Sequence, residues 1–250
     1  MEILAVVNKK GGVGKTTTAL AMAAGLAQRG FKVLAIDLDP QGNFSGTAQA
    51  DKDSVGVYEV LTKQVSINDA IQEASSFDFI AADGSLSSAD NIITETGKEY
   101  RLREALEELM VEYQYIVLDT PPSTGILTTN ALTVANQIII AAQADTYSAE
   151  GLMQLSGSIE TIKKYCNPSL EIAGVLLTRY NNRTILSQHL KETFTKIATQ
   201  IGTKVFDTYI RESISIKEAQ AMKQSIFEYD SRSNGAVDYQ NFIDELLGGI

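Results

Sequence analysis

Short apolar runs punctuate the chain at residues 3–7, 31–37, 77–82, 115–119, 137–142, 172–177 and 204–210. Most are continuous Val, Ile, Leu and Ala rather than strict in/out alternation, as expected of central parallel strands covered on both faces. Helical spacing fills the intervals. Residues 17–29 form a strong helical pattern, and 101–110 are rich in Leu and Glu. Residues 148–165 place Leu152, Leu155, Ile159 and Ile162 on one face, and 184–201 are expected to bury Ile185, Leu190, Phe194, Ile197 and Ile201. Such strand–helix alternation predicts an α/β fold: a doubly wound, mostly parallel sheet with helices on both faces, with residues 1–250 as a single domain. In that architecture the ligand sits outside the carboxyl ends of the strands. There are no internal repeats, low-complexity tracts or Pro-rich linkers, and the polar, glycine-containing stretch 41–55 reads as a mobile loop.

Composition narrows the classes. The hydrophobic content of 44% is ample for a core on both faces of a sheet. No apolar run reaches the roughly 18 residues of a membrane span, and the first strand begins too early to leave room for a signal peptide. A cytoplasmic protein is expected. Cys166 is the only cysteine, which excludes a disulfide framework and a Cys-based metal or iron–sulfur site within one chain. The lone His189 reads as a helix-face residue rather than a catalyst. A net charge of −10 argues against nucleic-acid binding over the whole surface. The charge is uneven, however: residues 1–160 carry 10 Lys/Arg against 21 Asp/Glu, whereas 161–232 carry 11 against 7. Any polyanion surface belongs in that later segment.

The chemistry concentrates at residues 8–17, Asn-Lys-Lys-Gly-Gly-Val-Gly-Lys-Thr-Thr. Gly14, Lys15 and Thr16 fit the end of G-x-x-x-x-G-K-[ST], but Lys9 replaces the first Gly and Lys10 opens the glycine run. The segment lies between a strand pattern and a helix pattern. Glycines at such a turn let several backbone N–H groups converge on one anion at the helix N-terminus. Lys10, Gly11, Gly12, Val13, Gly14, Lys15, Thr16 and Thr17 are therefore the nucleotide-binding candidates. Lys15 supplies charge to the outer phosphates, and the Thr16 hydroxyl is placed to hold Mg²⁺.

Two further strand ends carry carboxylates: Asp37-Leu38-Asp39-Pro40-Gln41-Gly42-Asn43, and Asp119-Thr120-Pro121-Pro122-Ser123. An Asp directly after four apolar β residues suits the metal shell beside a phosphate loop. Asp119 fits that role best. Of Asp37 and Asp39, one can serve the metal while the other, where the chain turns at Pro40, reaches the attacking water.

Together with KGGVGKTT, DLDPQGN, YIVLDTPPS, the segment from Asn130 to Leu152 and GVLLTRYNNRT, these motifs closely resemble the ParA/Soj family of partition ATPases with a deviant Walker A motif. The resemblance runs almost end to end. It implies an ATP- and Mg²⁺-dependent ATPase that forms a nucleotide-sandwich homodimer, binds DNA non-specifically in that state, and is released when a ParB-like centromere-binding partner stimulates slow hydrolysis. By resemblance, Lys10 is the signature lysine reaching the partner subunit's phosphates, and Lys15 is the lysine acting in cis. Asp39 orients the hydrolytic water, while Thr16, Asp37 and Asp119 serve the metal and switch positions. Catalysis would thus rest on Lys10, Lys15 and Asp39.

The positive segment offers Arg183, Lys191, Lys217 and Lys223 as DNA contacts, with Arg183 matching a basic position the family uses on DNA. Arg211 is a further nucleotide candidate, in a stretch where Ser215 departs from the family's Pro-Arg-Asn-x-Arg run. A related ATPase positioning a protein cargo on the nucleoid would use the same engine. A MinD-like membrane ATPase needs a basic amphipathic tail, whereas residues 239–250 are acidic, lack Lys and Arg, and are expected to pack on the domain. A nitrogenase-type iron-protein reductase is excluded by the single cysteine.

Overall fold

The computed structural model describes residues 1–51 and 53–248. Its strands are β1 (Glu2–Val7), β2 (Val33–Asp37), β3 (Ile71–Glu73), β4 (Asp78–Ile80), β5 (Tyr115–Asp119), β6 (Gln137–Gln143) and β7 (Glu171–Thr178). They form one sheet in the order β3-β4-β2-β5-β1-β6-β7. Every neighbouring pair is parallel except β3 with β4. The expected doubly wound, mostly parallel sheet is the one found, with β3 added as a short antiparallel edge that the apolar pattern does not announce.

The helices are α1 (Lys15–Gln28), α2 (Asn43–Thr47), α3 (Val57–Leu61), α4 (Ala89–Ile92), α5 (Arg101–Glu107), α6 (Ile126–Val134), α7 (Thr146–Tyr165), α8 (Ile185–Gln200), α9 (Ile214–Ala221), α10 (Ile226–Asp230) and α11 (Asn234–Gly248). Alternate residues of β1 feed two cores. Ile3, Ala5 and Val7 pack with residues of α3, α5, α6, α7 and α8, while Leu4 and Val6 pack with α1, α10 and α11. A strand covered on both faces needs apolar residues at every position, which is why the strand runs are continuous.

The last helix is a structural brace. Tyr239, Phe242, Ile243 and Leu246 are buried, so the apolar positions of the tail pack on the fold as expected; Gly249 and Ile250 lie outside the described residues. Gly25 of α1 makes the close approach possible, since a Cβ there would run into Ile243 Cδ1. The hydroxyls of Thr18 and Tyr239 lie 3.1 Å apart, and the Arg29 guanidinium reaches Asp244 at 2.5 Å.

Three expectations need correction. Residues 204–210 do not form a full strand; they pair with β7 only as isolated bridges at Val205 and Ile210. The reason lies in the middle of the run, where the Asp207 and Thr208 amides donate to the Glu245 carboxylate, each at 2.8 Å, instead of to a strand. Ile185 is 80% exposed rather than buried, because it opens α8, whose first turn is largely in solvent; Phe194 and Ala198 carry the burial of that helix. Finally, residues 41–55 are not a featureless loop. They contain α2, with Phe44 and Ser45 buried; Lys52 lies outside the described residues.

Phe242 is fully buried and meets the Phe206 ring edge-on at 5.0 Å. Phe242→Ala is expected to cost about 3–5 kcal/mol, read as a lower urea midpoint with an unchanged slope.

Candidate nucleotide site

The strand register assembles the site. Asp119, the last residue of β5, stands opposite Val6 of β1 on one side and Asp37 of β2 on the other. The loops leaving three adjacent strands therefore begin side by side at the carboxyl edge, where a parallel α/β sheet binds ligands.

The phosphate loop is tied to the sheet from behind. Asn8 donates through Nδ2 to the Ala141 carbonyl at 2.6 Å and accepts the Lys10 amide at 2.9 Å. The Val13 carbonyl accepts from Thr178 Oγ1 at 2.7 Å, and the Gly12 carbonyl from Gln143 Nε2 at 3.1 Å. Val13 is buried behind the loop. Gly12 and Gly14 adopt φ of +73° and +89°, a region L side chains rarely enter. Gly14 caps α1, so the first N–H groups of that helix face the loop and are available to an anion.

Gly11, Gly12, Gly14, Lys15, Thr16 and Thr17 line one wall of a cavity of about 610 Å³. Asp39, Gln41, Asn43 and Thr47 from the segment after β2 line another, and Arg179 and Gln220 complete the enclosure. The Lys15 ammonium donates to the Lys10 carbonyl at 3.2 Å. Its burial lowers its pKa, with Asp119 and Asp39 opposing.

Lys10 behaves differently. It is not among the residues lining this cavity; its ammonium contacts Asp145 Oδ2 at 2.6 Å and Ser148 Oγ at 3.3 Å. Asp145 in turn caps α7 by accepting the Ser148 amide at 2.8 Å. Burial works to raise the Asp145 carboxyl, yet Lys10 and Ser148 hold it below its usual range.

The carboxylates divide by their surroundings. Asp37 is fully buried and well bonded: Oδ1 accepts the Asp39 amide at 3.0 Å, while Oδ2 accepts the Ser45 amide at 3.0 Å and the Ser45 hydroxyl at 2.7 Å. Burial pushes it up to about 6 against the pull of Ser45. Asp119 is equally buried, but among the described residues neither of its oxygens has a hydrogen-bond partner. Burial raises it well above the carboxylate range, and neighbouring Asp37 adds to this. The Thr16 hydroxyl and Lys15 pull the other way, although Thr16 does not complete a hydrogen bond. An orphaned buried carboxylate beside a threonine hydroxyl is a hard oxygen donor set, which fits Mg²⁺. Asp39 lines the cavity itself, with one oxygen accepting the Gln41 amide at 3.0 Å.

Not every candidate converges here. Arg211 lies in a small adjoining pocket that shares Gly14, Thr17 and Arg179 with the main site, and Asp238 holds its guanidinium at 2.6 Å. Arg183 is exposed in the β7–α8 loop, and Lys191 lies 6.0 Å from the Tyr209 ring centroid. Lys217 pairs with Glu212 at 3.0 Å, and Lys223 is exposed beyond α9. Sequence reasoning missed Arg179 and Gln220. Arg179 directly follows a buried strand at its carboxyl end, a signal that could have found it. Gln220, which donates to Thr17 Oγ1 at 2.8 Å, carries no signal in the sequence.

Comparison with known proteins follows this geometry. Residues 1–172 match the AAA domain family model AAA_31. The chain is 38% identical over 251 residues to the sporulation initiation inhibitor protein Soj of Bacillus subtilis, covering 98% of each. It is 36% identical over 255 residues to the chromosome partitioning protein ParA of Caulobacter vibrioides, covering 99% of this chain and 94% of that one. The chain belongs to the ParA/Soj family. Among solved structures, cobyrinic acid a,c-diamide synthase from Mycobacterium smegmatis with bound ADP and magnesium superposes with a TM-score of 0.85 at 32% identity, covering 99% of this chain and 94% of that one. Apo McdA from Cyanothece shares the fold, with a TM-score of 0.89 at 24% identity over 99% of this chain and 100% of its own.

Asp37 and Asp119 both have raised pKa values in the folded chain, so the fold keeps protons that the unfolded chain releases. That stabilises the fold at low pH and is lost as pH rises through the raised values. Without nucleotide or Mg²⁺, Asp119→Asn should therefore melt above the parent at pH 8, with the gap closing towards pH 4. At this chain length each kcal/mol is worth about 2–4 °C. Mg²⁺ with ATP should reverse the order by stabilising the parent alone; scanning calorimetry at the two pH values reads both effects.

Proposed function

We propose that this chain is a Mg²⁺-dependent ATPase of DNA partition. It closes into a homodimer around two ATP molecules and binds DNA without sequence preference in that state. It lets go when a ParB-like partner stimulates hydrolysis. The placement of Lys10 is the observation that carries this reading. A lysine inside the phosphate loop would ordinarily face its own cavity, as Lys15 does. Lys10 instead pairs with Asp145 away from the lining of that cavity, which leaves its charge for a nucleotide held by a second copy. Positive charge supplied in trans is an effective accelerator of phosphoryl transfer, because the transition state spreads charge over the transferring oxygens. The family relationship supports the same conclusion, and one relative, from Treponema pallidum, carries the name chromosome-partitioning ATPase Soj.

Within one subunit the loop amides and Lys15 bind and orient the phosphates. Thr16 and Asp119 would hold the metal, with Asp37 behind them. Bound magnesium supplies charge neutralisation at the outer phosphates. Asp39, on the opposite wall, orients the attacking water. The DNA-facing surface is assigned to the positive segment, where Arg183 is exposed in the β7–α8 loop. No helix among the described residues is long and apolar enough to cross a membrane, and the apolar face of α11, in the tail that a membrane-cycling relative would use, is packed on the fold. The working compartment is the cytoplasm, with the ATP form on the nucleoid.

Light scattering with ADP and with ATP tests the reading: a doubled mass only with ATP is expected, and an unchanged mass would overturn it. Lys10→Ala should weaken ATP-dependent dimerisation and stimulated hydrolysis while sparing nucleotide binding by the monomer; equal loss of all three would place Lys10 in cis. Plasmid binding by the ATP form should fall steeply with salt as counterions are released. Arg183→Ala should reduce the slope of that dependence by about 1. Failure to bind plasmid even at low salt would remove DNA from the function.

A further inference from the structure

Ser45 sits on α2, almost wholly buried, and is not among the residues lining the nucleotide cavity. Its hydroxyl accepts the Ala82 amide at 2.8 Å and meets Asp37 Oδ2 at 2.7 Å. An amide can only donate, so the single hydroxyl proton must go to Asp37. The Ser45 amide adds a second donor to the same carboxylate oxygen at 3.0 Å. On the other side of that carboxylate, Oδ1 accepts the Asp39 amide at 3.0 Å. A directed line of hydrogen bonds thus joins the end of β4, α2, Asp37 and the backbone of Asp39. The same helix presents Asn43 and Thr47 to the cavity.

We propose that Ser45 is a positioning residue for hydrolysis. By clamping Asp37, it sets the backbone that carries Asp39 only while α2 is docked against the end of β4. This inference rests on the reading of Asp39 as the residue that orients water. The clamp is made of groups outside the cavity wall, so its loss should alter turnover and leave nucleotide affinity alone.

The test compares wild type, Ser45→Ala and Ser45→Thr. For Ser45→Ala, kcat for ATP should fall on the order of 10- to 100-fold, the usual penalty for a misplaced catalytic group. KM and the affinity for a non-hydrolysable ATP analogue with Mg²⁺ should stay within about twofold, well inside the span of a single lost contact. Ser45→Thr keeps the hydroxyl and should restore most of the turnover. Without nucleotide, hydrogen exchange at the Asp39 and Ala82 amides should accelerate in Ser45→Ala while the α1 amides keep their protection. Should the alanine variant not fold, Ser45→Cys keeps the shape with a weaker donor and should fall between wild type and that loss. Unchanged kcat, a parallel loss of affinity, or a threonine variant as impaired as alanine would each overturn the proposal. A wild type without turnover would sink the ATPase reading instead. In that case unchanged exchange at Asp39 and Ala82 in Ser45→Ala still overturns the clamp, and faster exchange supports it.

Discussion

The parallel register that sets Val6, Asp119 and Asp37 in one row is the constraint on which the site depends. A slip of one residue in either pairing would turn every side chain of a strand to the opposite core. Both faces of this sheet are packed, so the register is specified by burial along its whole length. Catalytic placement is thus a by-product of core packing, and the carboxylates need no device of their own to come together.

What that row brings together is electrostatically unfavourable. Two buried carboxylates stand side by side, one saturated with donors and the other bare. Burying charge is costly unless it is paired, and Asp119 is left for a cation to satisfy. Lys10 illustrates the complementary case: it already has a partner in Asp145, and any role on another subunit's phosphates means exchanging that ion pair for a stronger one.

Much of this was legible from residues alone, for identifiable reasons. Short continuous apolar runs suit strands buried on both sides, and a glycine-rich turn between strand and helix can be recognised without coordinates. Legibility failed where tertiary partners outweighed local pattern. The run at 204–210 has strand composition, but Glu245 takes its central amides. Residues 41–55 look polar enough to be loose, yet Ser45 is pinned by Asp37 at the end of β2 and by Ala82, which follows β4. Ile185 follows the helical period of its neighbours and still ends in solvent, since periodicity gives the buried face of a helix without saying how far along it the burial extends. Gln220 reaches Thr17 across some two hundred residues of chain, a distance over which no local pattern can speak.

The brace formed by α11 has a consequence for how the molecule comes into being. The helix that follows the phosphate loop packs against Tyr239 and Ile243, and the bond between Thr18 and Tyr239 spans 221 positions. Contacts of such separation form late, after the intervening chain has condensed. The seating of the helix behind the nucleotide loop therefore waits on a segment some two hundred positions downstream.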